Sequence, residues 1–400
     1  MSSPNTPGST PARTENVLDT TSPIGAPPVS SRVRFALLGA GVIAQQHGTV
    51  LHQLGEQVQL TAVVDPVRPR AEALAAEHGG QVHATLEEAL AGAEFDVVVV
   101  CTPTGLHGGA VAQALAAGKH VVVEKPAEVS LERIDELIEA RDRAGTLVAV
   151  VSQHRFDPSS EIVLGAAARG ELGRLTSGVA SIDWWRSQGY YDSGEWRGTW
   201  ALDGGGALMN QGVHTVDLLV AVMGRPVEVF GYTGTLAHER IEVEDVAVGV
   251  VRFESGALGV LHASTAVHPG LSTRLQVHGD RGSAVIEDDR LVYFHSTPVG
   301  EQPLEAFMGS RGSGTNQVER FAGPDGALPA PTTSVPGRMS DAHLLQYRNF
   351  LAALRGEEAL RVGLEENRRA VAVITGLYES VRTGRPVPLR EPATAGARTR

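Results

Sequence analysis

Residues 34–65, RFALLGAGVIAQQHGTVLHQLGEQVQLTAVVD, constrain this chain more than any other stretch. An apolar run, Phe35 to Leu38, meets Gly39-Ala40-Gly41, and a helical pattern follows from Val42-Ile43-Ala44 to about Leu54. A second apolar run, Leu60 to Val64, ends on Asp65. Strand, glycine turn, helix, strand and acid in this register predict a dinucleotide-binding unit. Gly39 permits the tight turn, Gly41 lets the backbone approach a pyrophosphate, and Ala44 is small enough for close helix–strand packing. Val42 and Ile43 open the helix, whose unsatisfied N–H groups point at the phosphates. Asp65 is placed to accept from a ribose 2'-hydroxyl, and a 2'-phosphate would meet its charge, so NAD is expected in preference to NADP. Arg68 and Arg70 follow closely and offset part of that repulsion. The bland alternative is a glycine-rich turn in another doubly wound sheet that binds nothing.

Further short apolar runs continue the alternation. Phe95 to Cys101, Val121 to Val123 and Leu147 to Val151 read as strands of a parallel sheet covered on both faces. Helices at Ala110 to Ala117 and Leu131 to Ala144, the latter capped by Ser130, complete a doubly wound domain that closes near residue 153. Beyond it the rhythm changes. Helices at Pro158 to Ala168 and Gly206 to Met223 flank a strand starting at Leu175. Strands then follow at Val227 to Leu236, Val243 to Phe253, Leu258 to Ala266, Thr273 to His278 and Ser283 to Ile286. Hairpin spacing without intervening helices predicts a large, open, mostly antiparallel sheet, and so an α+β second domain. Helices are expected at Ala342 to Leu354 and Glu365 to Val381, and the domain that receives the last one is left open. Residues 296–339 read as a long surface excursion. The expected division is a disordered tail at 1–30, a Rossmann domain at 31–153, a substrate-binding and oligomerisation domain at 154–388 and a tail at 389–400.

Composition narrows the partners. A formal net charge of −12 without a basic, aromatic-interleaved patch argues against nucleic acid. The single cysteine excludes an intrachain disulfide framework and fits a reducing compartment. No apolar run reaches bilayer length and the Ser/Thr/Pro-rich start lacks a leader pattern, so a cytoplasmic protein without a membrane partner is expected.

Ligands of such sheets bind past the carboxyl ends of strands. Thr102, Pro103 and His107 follow one strand, and Glu124-Lys125-Pro126 follows the next. All but Pro126 are candidate cofactor contacts, and Lys125 can also polarise a substrate oxygen. A solvated lysine at a strand end is the plain alternative. In the second half, DGGGALMNQGVHTVD at 203–217 places Asn210, His214 and Asp217 at spacings of four and three, one helix face. His214 can pick up and return a proton near neutral pH, while Asn210 can only orient a partner. A histidine at a packing face is the competing reading. Arg186, Tyr191, Trp196 and Arg197 lie in a segment with all four tryptophans, suited to the rim of a sugar pocket or to an interface. Neither His107 nor His214 has metal-ligand spacing to other donors, and no metal is expected.

GAGVIA at 39–44, the strand ending at Asp65, CTPTGLH at 101–107, EKP at 124–126 and GGGALMNQGVHTVD at 204–217 together resemble the glucose–fructose oxidoreductase / inositol dehydrogenase (Gfo/Idh/MocA) family. The resemblance covers residues 31 to 388. It implies a catalytic pair, Lys125 and His214, and a homodimer or homotetramer built on the open sheet face. It further implies NAD(P)-dependent hydride transfer from a secondary hydroxyl of a sugar, cyclitol or sugar derivative. Many members carry an aspartate four residues before that histidine, and this chain has Asn210 there, which weakens an inositol assignment. Alternatives are a nucleotide-sugar dehydrogenase, a glycosidase working through a transient keto sugar, or a catalytically silent cofactor-binding protein.

Overall fold

The computed structural model describes residues 32–298, 300–301, 315–332 and 339–391. The tail expected at 1–30, most of the one at 389–400 and part of the 296–339 excursion lie outside the described residues.

The first domain alternates β1 (Val33–Leu38), α1 (Val42–Gln53), β2 (Val58–Val64), α2 (Arg68–His78), β3 (Gln81–His83), α3 (Leu86–Gly92), β4 (Val97–Val100), α4 (His107–Ala116), β5 (His120–Val123), α5 (Leu131–Ala144) and β6 (Val148–Val150). Its six strands lie in the order β3-β2-β1-β4-β5-β6, all parallel. The order reverses between β1 and β4, and a ligand crevice opens beyond their carboxyl ends. β4 shows why the sheet forms. Its four valines favour extended backbone, and all are fully buried, each burial stabilising by roughly 1.5–3 kcal/mol. Ser130 caps α5 by accepting from the Arg133 N–H, and Gly145 ends it in the left-handed conformation.

The second domain runs α6 (Pro158–Ala168), β7 (Leu175–Asp183), α7 (Gln188–Tyr191), α8 (Val213–Met223), β8 (Pro226–Gly234), β9 (Val246–Phe253), β10 (Leu258–Ser264), β11 (Thr273–Gly279), β12 (Gly282–Glu287) and β13 (Arg290–Ser296), then α9 (Met339–Leu354), α10 (Leu364–Thr383) and β14 (Val387–Pro388). The sheet order is β13-β12-β11-β7-β10-β9-β8-β14, antiparallel throughout except for the parallel β7–β10 pair. β9 alternates buried and exposed residues along its length, the mark of a sheet with one covered face. That cover is α8 and α10, with Leu219 and Leu377 set against the small residues Gly178, Gly231 and Gly249.

Two helices tie the halves together. Tyr347, Phe350 and Leu351 of α9 join the core formed by Phe35, Leu37, Val97 and Val99, so this late helix covers the first domain's sheet. α10 packs on β8 and α8 and also reaches α5, where Arg368 holds Asp135 at 2.5 and 2.9 Å. The question the periodicity left open thus has two answers, because α10 bridges both domains.

The helix expected from Gly206 begins differently. Ala207–Gln211 is a π-helical turn, closed by Gly212 N–H on the Ala207 carbonyl at 2.8 Å, and α geometry starts only at Val213. Glu244 is the cause. Its carboxylate accepts from the N–H groups of Gly206 (3.0 Å) and Leu208 (2.9 Å), and its backbone carbonyl accepts from Ala207 (2.9 Å). A Cβ on Gly206 would lie 1.7 Å from that carbonyl oxygen, so only glycine fits. π turns recur at functional sites because the wider turn redirects side chains.

Candidate active site

The glycine turn is built as a cradle. Gly39 has φ +95°, and a Cβ there would lie 2.8 Å from the Cys101 carbonyl oxygen, so β1 and β4 can approach only around glycine. A Cβ built on Gly41 meets nothing within 4 Å, which leaves room over the turn for a pyrophosphate. Val42 is 86% exposed at the start of α1, and Ile43 is half-buried beside it. Asp65 is buried, and its carboxylate accepts from the N–H groups of Ala40 and Val67, both at 2.8 Å. It therefore holds the glycine turn in shape, and its remaining lone pairs stay available to a ribose hydroxyl. Thr102 and Pro103 are half-buried past β4, and the Thr102 hydroxyl is buried without a hydrogen-bond partner among the described residues. An open glycine position, an uncovered valine and an orphaned hydroxyl along one edge fit a dinucleotide.

Lys125 and His214, on different domains, lie near enough for the ammonium to act on the imidazole. The Lys125 ammonium donates to the Asn210 carbonyl oxygen at 2.9 Å, with Asn210 Oδ1 at 3.5 Å. Burial lowers the Lys125 pKa; the Glu124 and Asp203 carboxylates oppose this and Arg197 adds to it. His214, half-buried on α8, is held well below its ordinary value by burial, then by the charges of His154, Lys125 and His343. Its ring nitrogens make no hydrogen bond among the described residues. Asn210 Nδ2 donates to Asp203 at 2.6 Å, and burial pushes the Asp203 carboxyl up to about 6. The aspartate missing from position 210 thus has a neighbour seven residues upstream.

A cationic, aromatic wall adjoins this pair. Gln211 donates to Asn210 Oδ1 and Tyr190 Oη, both at 3.2 Å, and accepts from Arg186 at 3.1 Å. The guanidiniums of Arg186 and Arg197 both lie over the Tyr190 ring, at 5.3 and 4.3 Å, and Arg197 also lies over Trp196 at 4.3 Å. Neither arginine has a carboxylate within ion-pair distance among the described residues, and Arg186 Nε is buried with no partner.

Other expected contacts sit elsewhere. Tyr191 is buried, its hydroxyl spent on Thr265 Oγ1 at 2.8 Å, so Tyr190 takes the place on the wall that the sequence reading gave to its neighbour. His107 is a core histidine between the carbonyls of Thr102 and Pro126, both at 2.8 Å. Glu124 is buried under Lys125 and bonded to His47 at 3.0 Å. Burial alone would raise its pKa, yet that bond holds it down to about 2. Asp217 does not share the cleft face of α8, since Arg155 takes both its oxygens at 2.6 Å. Two sets, His47/Glu124/His343 and His154/Asp157/Asp289, bring ligand atoms within 4.8 Å, a convergence that chain spacing does not reveal. Both are read as hydrogen-bonded ion pairs, with His47 on Glu124 and His154 on Asp289, and neither is assigned to a metal.

Sequence reasoning did not single out Gln211 or His154 as site residues. His154 was within reach of the rule applied to Lys125, because it lies just past the carboxyl end of β6.

Residues 33–152 match the model of an oxidoreductase family with an NAD-binding Rossmann fold, and residues 165–285 match the GFO/IDH/MocA C-terminal domain. The structure of the WlbA dehydrogenase from Bordetella pertussis, in complex with NADH and UDP-GlcNAcA, is 31% identical with a TM-score of 0.79, covering 91% of this chain and 100% of that one. WlbA from Chromobacterium violaceum, with the same two ligands, is 30% identical with a TM-score of 0.79, covering 92% and 100%. Inositol 2-dehydrogenase of Rhizobium meliloti is 28% identical over 300 residues, 72% of this chain and 87% of that protein. Fold and matches define an NAD(P)-dependent dehydrogenase. The chain belongs to the GFO/IDH/MocA family, and its cofactor is NAD.

Proposed function

We propose that this enzyme oxidises a secondary hydroxyl of a nucleotide-linked sugar that carries an anionic group. The observation that carries this reading is the pair Arg186 and Arg197, two guanidiniums over the Tyr190 ring with no carboxylate in ion-pair contact among the described residues, Asp203 acting on Arg197 only through longer-range charge. A cation without an acid partner in a cleft suits a carboxylate or phosphate brought by a ligand. The similarity to WlbA, whose structures hold UDP-GlcNAcA, a nucleotide-linked sugar acid, supports the same substrate class. A neutral cyclitol would bring no negative charge to either guanidinium.

In this reading Gly39, Gly41, Val42, Ile43, Asp65, Thr102 and Pro103 hold NAD, which when bound supplies the hydride acceptor. Neutral His214 takes the hydroxyl proton. Lys125 keeps a donor for the substrate oxygen and stabilises negative charge building there. Asn210, fixed between Lys125, Gln211 and Asp203, orients the ammonium.

The test is NADH absorbance on incubation of the purified chain with NAD and a panel of nucleotide-linked sugar acids, nucleotide-linked neutral sugars, free sugars and inositols. Turnover should be greatest with the sugar acids. Arg186→Ala and Arg197→Ala should each raise KM for them by roughly 10- to 100-fold, the scale of one lost charged hydrogen bond. Higher kcat/KM with a free inositol, or unchanged KM in both variants, would refute the assignment. Release of an aglycone without net NADH would point instead to a glycosidase.

A further inference from the structure

The turn after β6 brings a second histidine against His214. The rings of His154 and His214 lie 4.8 Å apart, centroid to centroid, at 61°. His154 Nδ1 meets Asp289 Oδ1 at 2.9 Å. Asp289 comes from the turn between β12 and β13, where Asp288 (φ 45°) and Asp289 (φ 59°) are both left-handed. Ser159 pins that turn by donating to the Asp289 carbonyl at 2.8 Å. Consecutive left-handed residues other than glycine are uncommon, although aspartate tolerates the conformation better than most. Here the turn delivers a buried carboxylate to a half-buried imidazole across 135 positions of chain.

We infer that Asp289 and His154 form a positioning pair for His214, holding its ring by edge contact and keeping a positive charge beside it so that His214 stays neutral and able to accept a proton. The inference rests on the role proposed above for His214. Two imidazoles in contact cannot both carry a proton cheaply, and a carboxylate bonded to one of them decides which does. The groups facing His214 are His154, Lys125 beyond β5 and His343 on α9. Those facing His154 are Asp289, Asp157 at the start of α6, Asp217 on α8 and His214 itself. Burial pulls His154 down, but the three carboxylates more than offset it and leave its pKa raised. The sign follows. Removing the charge at position 154 removes a repulsion and lets His214 hold a proton at higher pH.

The decisive measurement needs no substrate. Histidine carbon NMR on the full chain, labelled at the ring Cε1 and assigned with His214→Gln and His154→Gln, follows each ring through a pH titration. In His154→Gln the midpoint of His214 should rise by about one pH unit or more. In His154→Lys, which keeps a fixed charge, it should stay near the wild-type position. Asp289→Asn should lower the midpoint of His154 and raise that of His214, and it carries the same test if the position 154 variants do not fold. An unchanged His214 midpoint in His154→Gln and Asp289→Asn, or an equal shift in His154→Gln and His154→Lys, would overturn the pairing. With a substrate in hand, the acid limb of kcat/KM should move up in His154→Gln and not in His154→Lys, whereas a uniform loss without a shift would mark packing alone. A shifted His214 in a chain that turns over no sugar would sink the dehydrogenase role of His214 and leave the pairing standing.

Discussion

Lys125 carries three N–H donors and directs one to the Asn210 carbonyl, which leaves others for a ligand oxygen. Burial lowers its pKa, and the Glu124 and Asp203 carboxylates oppose that shift. Replacement by methionine keeps the stem and removes the donors. Lys125→Met should therefore bind NADH as wild type does, since the cradle formed by Gly39, Gly41 and Asp65 lies on other strand ends. Its kcat/KM should fall by about 10² or more, the scale of a lost oxyanion or acid–base contact. NADH fluorescence titration and steady-state kinetics check the two halves, and more than half of wild-type turnover would end the role. At this scale the chain positions of Lys125 and His214 lead to side chains near one another in the cleft, whereas those of Tyr191 and His107 lead to side chains bonded inside the core. Both latter residues have the chemistry of a site, and both are turned into the core by a partner elsewhere in the chain.

α8 is where local sequence and distant contacts divide the work. Its apolar residues Val216, Leu219 and Val220 bury it against the sheet, which the periodicity anticipates. Its angle of entry is set by Glu244, far along the chain, through the π turn that carries Asn210 and Gln211. Its seat is fixed by Asp217, paired with Arg155 in a site where both side chains are nearly buried. Removing one member of a buried pair leaves an uncompensated charge, at a cost of about 3–5 kcal/mol. Asp217→Asn should thus lower the thermal unfolding midpoint by several degrees and depress kcat, because the helix that carries His214 loses its anchor. Calorimetry alongside kinetics tests this. An unchanged midpoint would mean that Arg155 finds other partners.

Among the described residues, one face of the second sheet is uncovered. Tyr232, Val248, Val250, Leu258 and Val260 are exposed on the adjacent strands β8, β9 and β10, with Val248 opposite Tyr232 and Val250 opposite Val260. α8 and α10 occupy the other face. Exposed apolar side chains on adjacent strands suit a protein partner, and we propose that a second copy of this chain meets them with the same surface. Sedimentation at micromolar concentration should show more than one chain per particle, and Val250→Glu with Val260→Glu should release monomers. A clean wild-type monomer would refute the assembly. Among the described residues no helix is long and apolar enough to cross a membrane.

From its residues alone this chain determines a Rossmann unit, an antiparallel second domain and the strand and helix that carry Lys125 and His214. Those features are written in short-range terms: glycine where the backbone must bend, valine runs where a strand is buried on both faces, apolar spacing where a helix packs. Tertiary structure alone decided that α9 covers the first sheet, that α10 spans both domains and that the last glycine loop opens into a π turn. It also decided that Asp289 reaches His154 and that the Arg186 and Arg197 guanidiniums both lie over the Tyr190 ring. Each of these depends on which distant group arrives to fill a hydrogen bond or balance a charge, and chain spacing carries no record of that arrival.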